Sequence, residues 1–398
     1  MKYDFDRHVE RRDTNDLKWH AKAVEGYLGV PVREDMIPMW IADTEFACPP
    51  IIVEALRKRV EKEIYGYCAP GPDFYRAICW WMQERYQWKV DPSWITVCPA
   101  VVASINTAVH AFTQPGDGVI VQQPVFDPFM TIVKRSGRTL VNNGLLFRDG
   151  RYEMDFDLLR KQAADPANKM LILCSPHNPV GRVWTVQELT QLAEICLEND
   201  VLIVSDEIHS DIVYSGHRQS PLLSLDPRYQ DAFLCLNAPG KTFNISGLKV
   251  SYAIIPNAQR KQAFDAAQKD MSLDVRSTFG LEALTAAYTP QGEEWMLEEL
   301  QYLEANARFA EEFVREHIPG GSLVRPEGCF LCWLDLSGTG IDDRRLLKAV
   351  VLDEGIICVP GTWFGQGGEG HLRLNIGCPR DILTEALQRI AKAVAEAK

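Results

Sequence analysis

Short apolar runs, each followed by a stretch with helical spacing, dominate the middle of the chain. The first amphipathic segment begins near residue 50. Pro49 and Pro50 precede Ile51, Ile52, Ala55, Leu56 and Val60, a spacing that predicts a helix with proline in its first turn. Tyr65 to Pro72 is rich in turn formers, and a second helix is expected over 73–86. Then a repeating pattern sets in. Ile95–Cys98, Val119–Val121, Leu171–Cys174, Val201–Ser205, Phe233–Leu236 and Val250–Ile255 read as strands, Val102–Phe112 as a helix and Pro115-Gly116-Asp117 as a turn. Thr185 with Glu188 has the spacing of a capping box, opening a helix to Glu198. Apolar strands that alternate with helices predict a largely parallel sheet covered on both faces, a block that runs to about 285.

Beyond that block the pattern changes. Residues 288–315 are charged and helical, with Glu298, Glu299, Glu304, Arg308 and Glu311. Phe330–Leu334 reads as a strand, Gly338–Gly340 as a turn, Asp342–Leu352 as a helix and Gly365–Gly370 as a glycine-rich loop. Arg373–Ile376 is a further strand before a closing helix over 381–396. These elements predict a second, smaller α+β domain. No internal repeat is evident.

Composition narrows the class without naming a function. The 398 residues are 46% hydrophobic and 24% charged, enough apolar material for a sizeable core, which excludes a disordered or disulfide-stapled chain. Lys and Arg number 42 against 54 Asp and Glu, a balance of −12 that argues against nonspecific binding to nucleic acid or an anionic membrane. No apolar run approaches the length of a membrane span, and the polar start Met1–Glu10 is not that of a signal peptide. The 11 cysteines lie mostly within apolar segments, as small hydrophobes do, and a reducing cytoplasm suits them. Cys329-Phe330-Leu331-Cys332 has CxxC spacing, yet no second pair follows, so a core strand is expected there rather than a zinc or redox site.

Neither GxGxxG nor GxxxxGK[ST] occurs, and the loop at 365–370 follows no expected strand. Chemistry is instead distributed over three strand ends. Ser-Pro-His-Asn-Pro-Val-Gly-Arg at 175–182, Ser-Asp-Glu-Ile-His at 205–209 and Gly-Lys-Thr-Phe-Asn at 240–244 each follow a strand, where ligands bind in open α/β sheets. A carboxylate there can hold a cationic ring nitrogen, and a sheltered lysine can be tuned for Schiff-base chemistry. Singly, each has a plainer reading: Lys241 as a solvated loop lysine, Asp206 as a helix cap, Asn178 as a turn former.

In this order the three segments resemble the pyridoxal-phosphate enzymes of the aspartate aminotransferase fold, including the 35-residue separation of Asp206 and Lys241. More narrowly, the chain resembles the MalY/PatB-type, cystalysin-like carbon–sulfur β-lyases. Further segments carry that likeness: Trp-Ile-Ala-Asp at 40–43, Pro-Gly-Asp-Gly-Val at 115–119, Val-Trp after the 175–182 motif, and Arg-Leu-Asn-Ile-Gly-Cys-Pro-Arg at 373–380. The resemblance implies a three-layer αβα large domain with a mostly parallel seven-stranded sheet over 46–287. It implies a small α+β domain built from both chain ends, 1–45 and 288–398, and pyridoxal 5′-phosphate as cofactor.

The same resemblance assigns roles. Lys241 would carry the cofactor as a Schiff base and shuttle the substrate α-proton. Asp206 would pair with the protonated ring nitrogen, Asn178 and His209 would face the ring's 3′ oxygen, and Phe126 would stack on the ring. Backbone N–H groups of Ala100, Val101 and Val102 would hold the phosphate. Tyr67, or else Tyr65, would reach the phosphate of a neighbouring subunit, which implies a homodimer with shared sites. Arg373, with Ala42, Asn178 and Asp127, would receive the amino-acid substrate. Departures from the pattern stand at Phe126 and Asp127, where tyrosines are common, at Ala100, and at Gly240, where a serine commonly ligates the phosphate; Lys249 is a candidate substitute for that hydroxyl. The implied reaction is β-elimination on L-cystathionine, L-cysteine or related cysteine S-conjugates to thiol, pyruvate and ammonia. Amino transfer on the same site, and a regulatory role binding a transcription factor, are the other readings.

Overall fold

A computed structural model describes residues 2–29 and 31–397. Seven strands form the large sheet: β1 (Ile95–Cys98), β2 (Gly118–Val121), β3 (Thr139–Asn142), β4 (Asn168–Cys174), β5 (Leu202–Asp206), β6 (Leu234–Asn237) and β7 (Ser251–Ile254). Their order is β1-β7-β6-β5-β4-β2-β3. Only β7 runs against its neighbours, so β1–β6 all end on one edge and β7 begins there.

Alternation within these strands explains why they are buried on both sides. Met170, Ile172 and Val204 pack into one apolar layer with Ile105, Val109 and Phe264, while Leu171, Leu173 and Ile203 pack into the other with Trp184, Leu189 and Leu192. Side chains of successive residues point to opposite faces, so near-continuous hydrophobicity is what a doubly covered strand requires. The second layer includes the helix Val186–Glu198, and its capping box is formed as expected: Thr185 accepts from the Glu188 N–H, and Glu188 accepts from the Thr185 N–H.

A four-stranded antiparallel sheet makes up the smaller layer: β8 (Ser322–Val324), β9 (Leu331–Asp335), β10 (Val359–Pro360) and β11 (His371–Asn375), in the order β8-β9-β11-β10. The two ends of the chain meet here. Ile37–Pro38 pairs in parallel with Ile356–Ile357, and Phe5 packs edge-on against Trp295 at 5.6 Å.

The charged stretch 288–315 is helical as expected, as the helix Pro290–His317 capped by Thr289. Two expectations change. The expected helix 342–352 is α-helical only over Asp343–Leu347 and then widens into π-helical turns over Lys348–Asp353. Cys329 lies outside the core strand that its apolar setting suggested. It precedes β9 with φ +71°, a left-handed conformation incompatible with a strand. The described cysteines are all free. Among the described residues no helix is long and apolar enough to cross a membrane, and no group of three or more His, Cys, Asp or Glu could hold a metal ion.

Candidate active site

The shared edge of the large sheet is where the chemistry gathers. From β1 the chain passes through Pro99 and Ala100 into the helix Val101–Phe112, and β4 continues into Ser175–Asn178. Asp206 ends β5, with His209 in the turn beyond, and β6 leads through Ala238 to Lys241. Ala42, Ala100, Val101, Val102, Phe126, Asn178, Asp206, His209, Lys241 and Lys249 all line one cavity of ≈ 170 Å³ on that edge. Parallel strands bring these distant segments together because their ends lie side by side.

Lys241 is held from two directions. Its Nζ donates to the carbonyl of Ala42 at 2.5 Å. The neighbouring Thr242 hydroxyl donates to the buried carboxylate of Asp211 at 2.9 Å, which fixes the loop carrying the lysine. Ala42 is itself fixed. Asn375 Nδ2 donates to the carbonyls of Ile41 and Asp43 at 2.6 Å each, Lys18 Nζ donates to the Asp43 carbonyl at 3.1 Å, and Asn244 Nδ2 donates to the Thr44 carbonyl at 2.9 Å. Segment 40–46 is therefore a strap tying the lysine loop to β11.

Burial dominates the electrostatics. It lowers Lys241 to about 8, an effect deepened by Arg373 and partly opposed by Asp43 and Asp206. It raises Asp206 to about 7, against the Ile208 N–H bond and the Lys241 charge. Burial also lowers His209 to about 3, with Lys241 and Arg373 adding to the effect, so its imidazole is neutral. Arg373 is pushed down to about 10 by burial and stays charged at neutral pH. An acid and a base on one cavity wall, each displaced toward its neutral form, are typical of a functional site rather than of a structural ion pair.

Arg373 stands behind Asn178. Its Nη1 donates to Asn178 Oδ1 at 3.3 Å and its Nη2 to the Trp40 carbonyl at 2.6 Å, while Nε is buried without a hydrogen-bond partner. Asn178 thus accepts from Arg373 with its oxygen, which leaves its amide N–H groups as the donors toward the cavity. The helix Val101–Phe112 begins at Ala100 with no side-chain cap, so its first backbone N–H groups open onto the cavity as an anion site.

Three of the expected residues do not line the cavity: Arg373 stands behind Asn178, and two others lie at the surface. Asp127 is exposed at the start of the helix Asp127–Arg135, where it accepts from the Thr131 hydroxyl at 3.2 Å, and it does not line the cavity. Tyr67 is fully exposed, and Ile64 and Tyr65 are exposed as well. The hydroxyl nearest Gly240 belongs to Ser246, not considered from sequence. A Cβ on Gly240 would lie 2.9 Å from Ser246 Oγ, so a serine at 240 would require Ser246 to shift. Cys174 also lines the cavity, and Cys329 contacts His209 behind it. Cys174 carried no signal in the sequence beyond apolar surroundings, and Cys329 only a CxxC spacing with no second pair.

Comparison with known proteins places this geometry. The sequence model described as "Aminotransferase class I and II" matches residues 35–390. Cystathionine beta-lyase PatB of Bacillus subtilis (strain 168) is 41% identical over 391 residues, 98% of this chain and 100% of PatB. The crystal structure of cystalysin from Treponema denticola, which contains a pyridoxal 5′-phosphate cofactor, superposes with TM-score 0.95 at 33% identity and covers 100% of both chains. A PLP-bound putative aminotransferase from Clostridium difficile 630 matches with TM-score 0.95 at 37% identity, over 98% of this chain and 100% of its own. The chain belongs to the class I and II aminotransferase family, the fold-type I pyridoxal-phosphate superfamily, and within it stands close to the MalY/PatB/cystalysin-type carbon–sulfur lyases.

Proposed function

We propose that this protein is a pyridoxal 5′-phosphate-dependent carbon–sulfur lyase that acts on L-cystathionine, L-cysteine or related cysteine S-conjugates, giving thiol, pyruvate and ammonia. The observation that carries the reading is a buried, pKa-lowered Lys241 sharing a cavity with a buried Asp206, beside an uncapped helix start. PatB, similar over 98% of this chain, supplies the reaction class by name, and the cystalysin structure supplies the cofactor.

The donor set suits the cofactor. Its phosphate would sit on the N–H groups at the start of the helix Val101–Phe112, with Ser246 and Lys249 on the opposite wall. Asp206 would hold the ring nitrogen protonated, and a cation there would relieve the cost of burying its carboxylate. Asn178 and His209 would face the ring oxygen, and Phe126 the ring plane. When bound, the cofactor draws electrons away from the amino acid's α-carbon and so stabilises negative charge there.

The chain's own groups do the rest. Arg373 would grip the substrate carboxylate with the face that carries its unpartnered Nε, a planar geometry that lysine cannot copy. Lys241 would hold the cofactor through Nζ, release it to the substrate amine, and take the α-proton on the same Nζ. Its depressed pKa keeps part of the amine neutral near neutral pH, as a base must be. The Ala42 carbonyl, 2.5 Å from Nζ, would orient the amine. The departing thiolate would then take a proton, which Lys241 Nζ, having received the α-proton, could return.

We also propose a homodimer in which Tyr67 reaches the partner's phosphate site. Its support is the exposure of the apolar side chains Val53, Val60, Ile64, Tyr65, Tyr67 and Val275, with Tyr65 packed on Phe279 at 5.6 Å.

Three outcomes are expected. Wild-type protein loaded with pyridoxal 5′-phosphate should release pyruvate from L-cystathionine with no keto acid added, and Lys241→Ala should lose both that activity and the visible absorbance of bound cofactor. Activity that appears only with an amino acceptor would make the protein an aminotransferase instead. For Asp206, the raised folded-state pKa means that the unfolded chain gives up the proton first. Ionisation therefore costs stability as pH climbs from about 4, and the cost is complete above about 7. Asp206→Asn should thus raise the melting temperature of cofactor-free protein by a few degrees at pH 8 and by less at pH 5; a gain independent of pH would contradict the assignment. Finally, Tyr67→Phe and Lys241→Ala chains, each impaired alone, should recover about a quarter of wild-type activity when co-expressed, because half of the dimers would hold one intact site. No recovery would rule out shared sites.

A further inference from the structure

His209 completes the cavity wall beyond Asp206 and is 3% exposed. Its Nδ1 lies 3.3 Å from Sγ of Cys329, and Phe330 packs edge-on against the ring at 5.8 Å. Among the described residues no other hydrogen bond reaches the imidazole. With Nδ1 turned to Cys329, Nε2 is the nitrogen left for the cavity.

Cys329 is held where it is by backbone. Its N–H donates to the Ile212 carbonyl at 2.8 Å, and its carbonyl accepts from the Tyr214 hydroxyl at 2.6 Å. Gly328 before it bridges to Val213 and has no room for a side chain, since a Cβ would lie 2.5 Å from the Ile212 carbonyl oxygen. The residue is thus clamped onto the segment that directly follows His209. It adopts φ +71°, a conformation that glycine takes without steric cost and cysteine does not. A side chain is kept there against that preference: its Sγ meets His209 Nδ1 on one side, and the Leu331 and Phe330 backbone N–H groups act on the same sulfur.

The direction of the bond follows from the chemistry of the pair. Burial raises the thiol to about 11 and lowers the imidazole to about 3, so both partners are neutral. A thiol is a weak donor and a poorer acceptor, whereas a neutral imidazole nitrogen is a good acceptor. Lys241 and Arg373, the cations that act on the ring, further disfavour a second proton on it.

We propose that Cys329 is a positioning residue: its thiol donates to His209 Nδ1 and holds the imidazole in the tautomer that carries its proton on Nε2, a donor aimed into the cavity. On the reading proposed above, that donor meets the cofactor's ring oxygen and tunes its charge. A second-partner hydrogen bond of this kind commonly decides which imidazole nitrogen is free to act.

The test uses protein labelled with [15N]histidine, free and loaded with pyridoxal 5′-phosphate, and long-range proton–nitrogen correlation spectra; His209→Gln assigns the signal. Wild-type His209 should show the Nε2–H pattern in both forms. Cys329→Ala, which keeps the backbone constraint and deletes only Sγ, should show the other tautomer or a mixture. Its visible absorbance should titrate with a midpoint displaced by about half to one pH unit, and kcat should fall about two- to tenfold with little change in KM. Cys329→Ser should restore all three. If the alanine variant does not fold, Cys329→Gly, which suits φ +71°, takes its place. An unchanged Nε2–H pattern in the deletion variant would overturn the proposal and leave Cys329 as packing alone. If wild-type protein takes up no cofactor, the proposed function fails, while the nitrogen spectra of the unloaded protein still decide the bond.

Discussion

The burial of Lys241 and Asp206 on one cavity wall, with no full-strength ion partner for either, is the constraint around which the structure is arranged. Taking either charge out of water is costly, and each group responds by moving toward its neutral form. A protein tolerates that cost only where the surroundings leave the groups no alternative position. Here the two apolar layers of the large sheet fix the strand ends. The Asp211–Thr242 bond fixes the lysine loop, and the Ile208 N–H holds the Asp206 carboxylate. The strain resides in the site, and the cohesion that sustains it resides in the sheet.

The strap at 40–46 extends this logic to the other end of the chain. Asn375 and Arg373 on β11 bind its carbonyls, and its Ala42 carbonyl accepts from Lys241. The residue suited to a carboxylate and the residue suited to an α-proton thus share one piece of backbone. A shift of β11 relative to the large sheet would change both together. Distance between the two groups is set by hydrogen bonds to backbone atoms rather than by side-chain packing, which favours precision over adaptability.

The central strands were legible because a doubly covered strand needs an unbroken apolar run, and β4, β5 and β6 carry one over Met170–Cys174, Leu202–Val204 and Leu234–Leu236. The helix Ala258–Asp270 was not, since Phe264 is its one buried apolar residue of size and no hydrophobic stripe announces it. Likewise β3, on the sheet edge, has no fully buried residue and offers little pattern. Lys241, Asp206 and Asn178, which line the cavity, and Arg373, which stands behind Asn178, could be singled out because their segments are distinctive in sequence. Ser246 and Cys329 were missed because their relation to the site exists only in three dimensions: a 3₁₀ turn returns Ser246 to Gly240, and a left-handed residue turns Cys329 toward His209. Asp127 was misplaced for the reverse reason. It follows Phe126, which does line the cavity, but as the first residue of a helix it points outward to Thr131.

The most direct test is the ionisation of Lys241 itself in cofactor-free protein. Competitive acetylation across a pH series, with the Lys241 peptide quantified by mass spectrometry against exposed lysines, reports the fraction of neutral amine. A midpoint near 8 is expected. A midpoint at the ordinary lysine value of about 10.4 would show that burial does not tune this amine, and the chemistry assigned to the cavity would lose its basis.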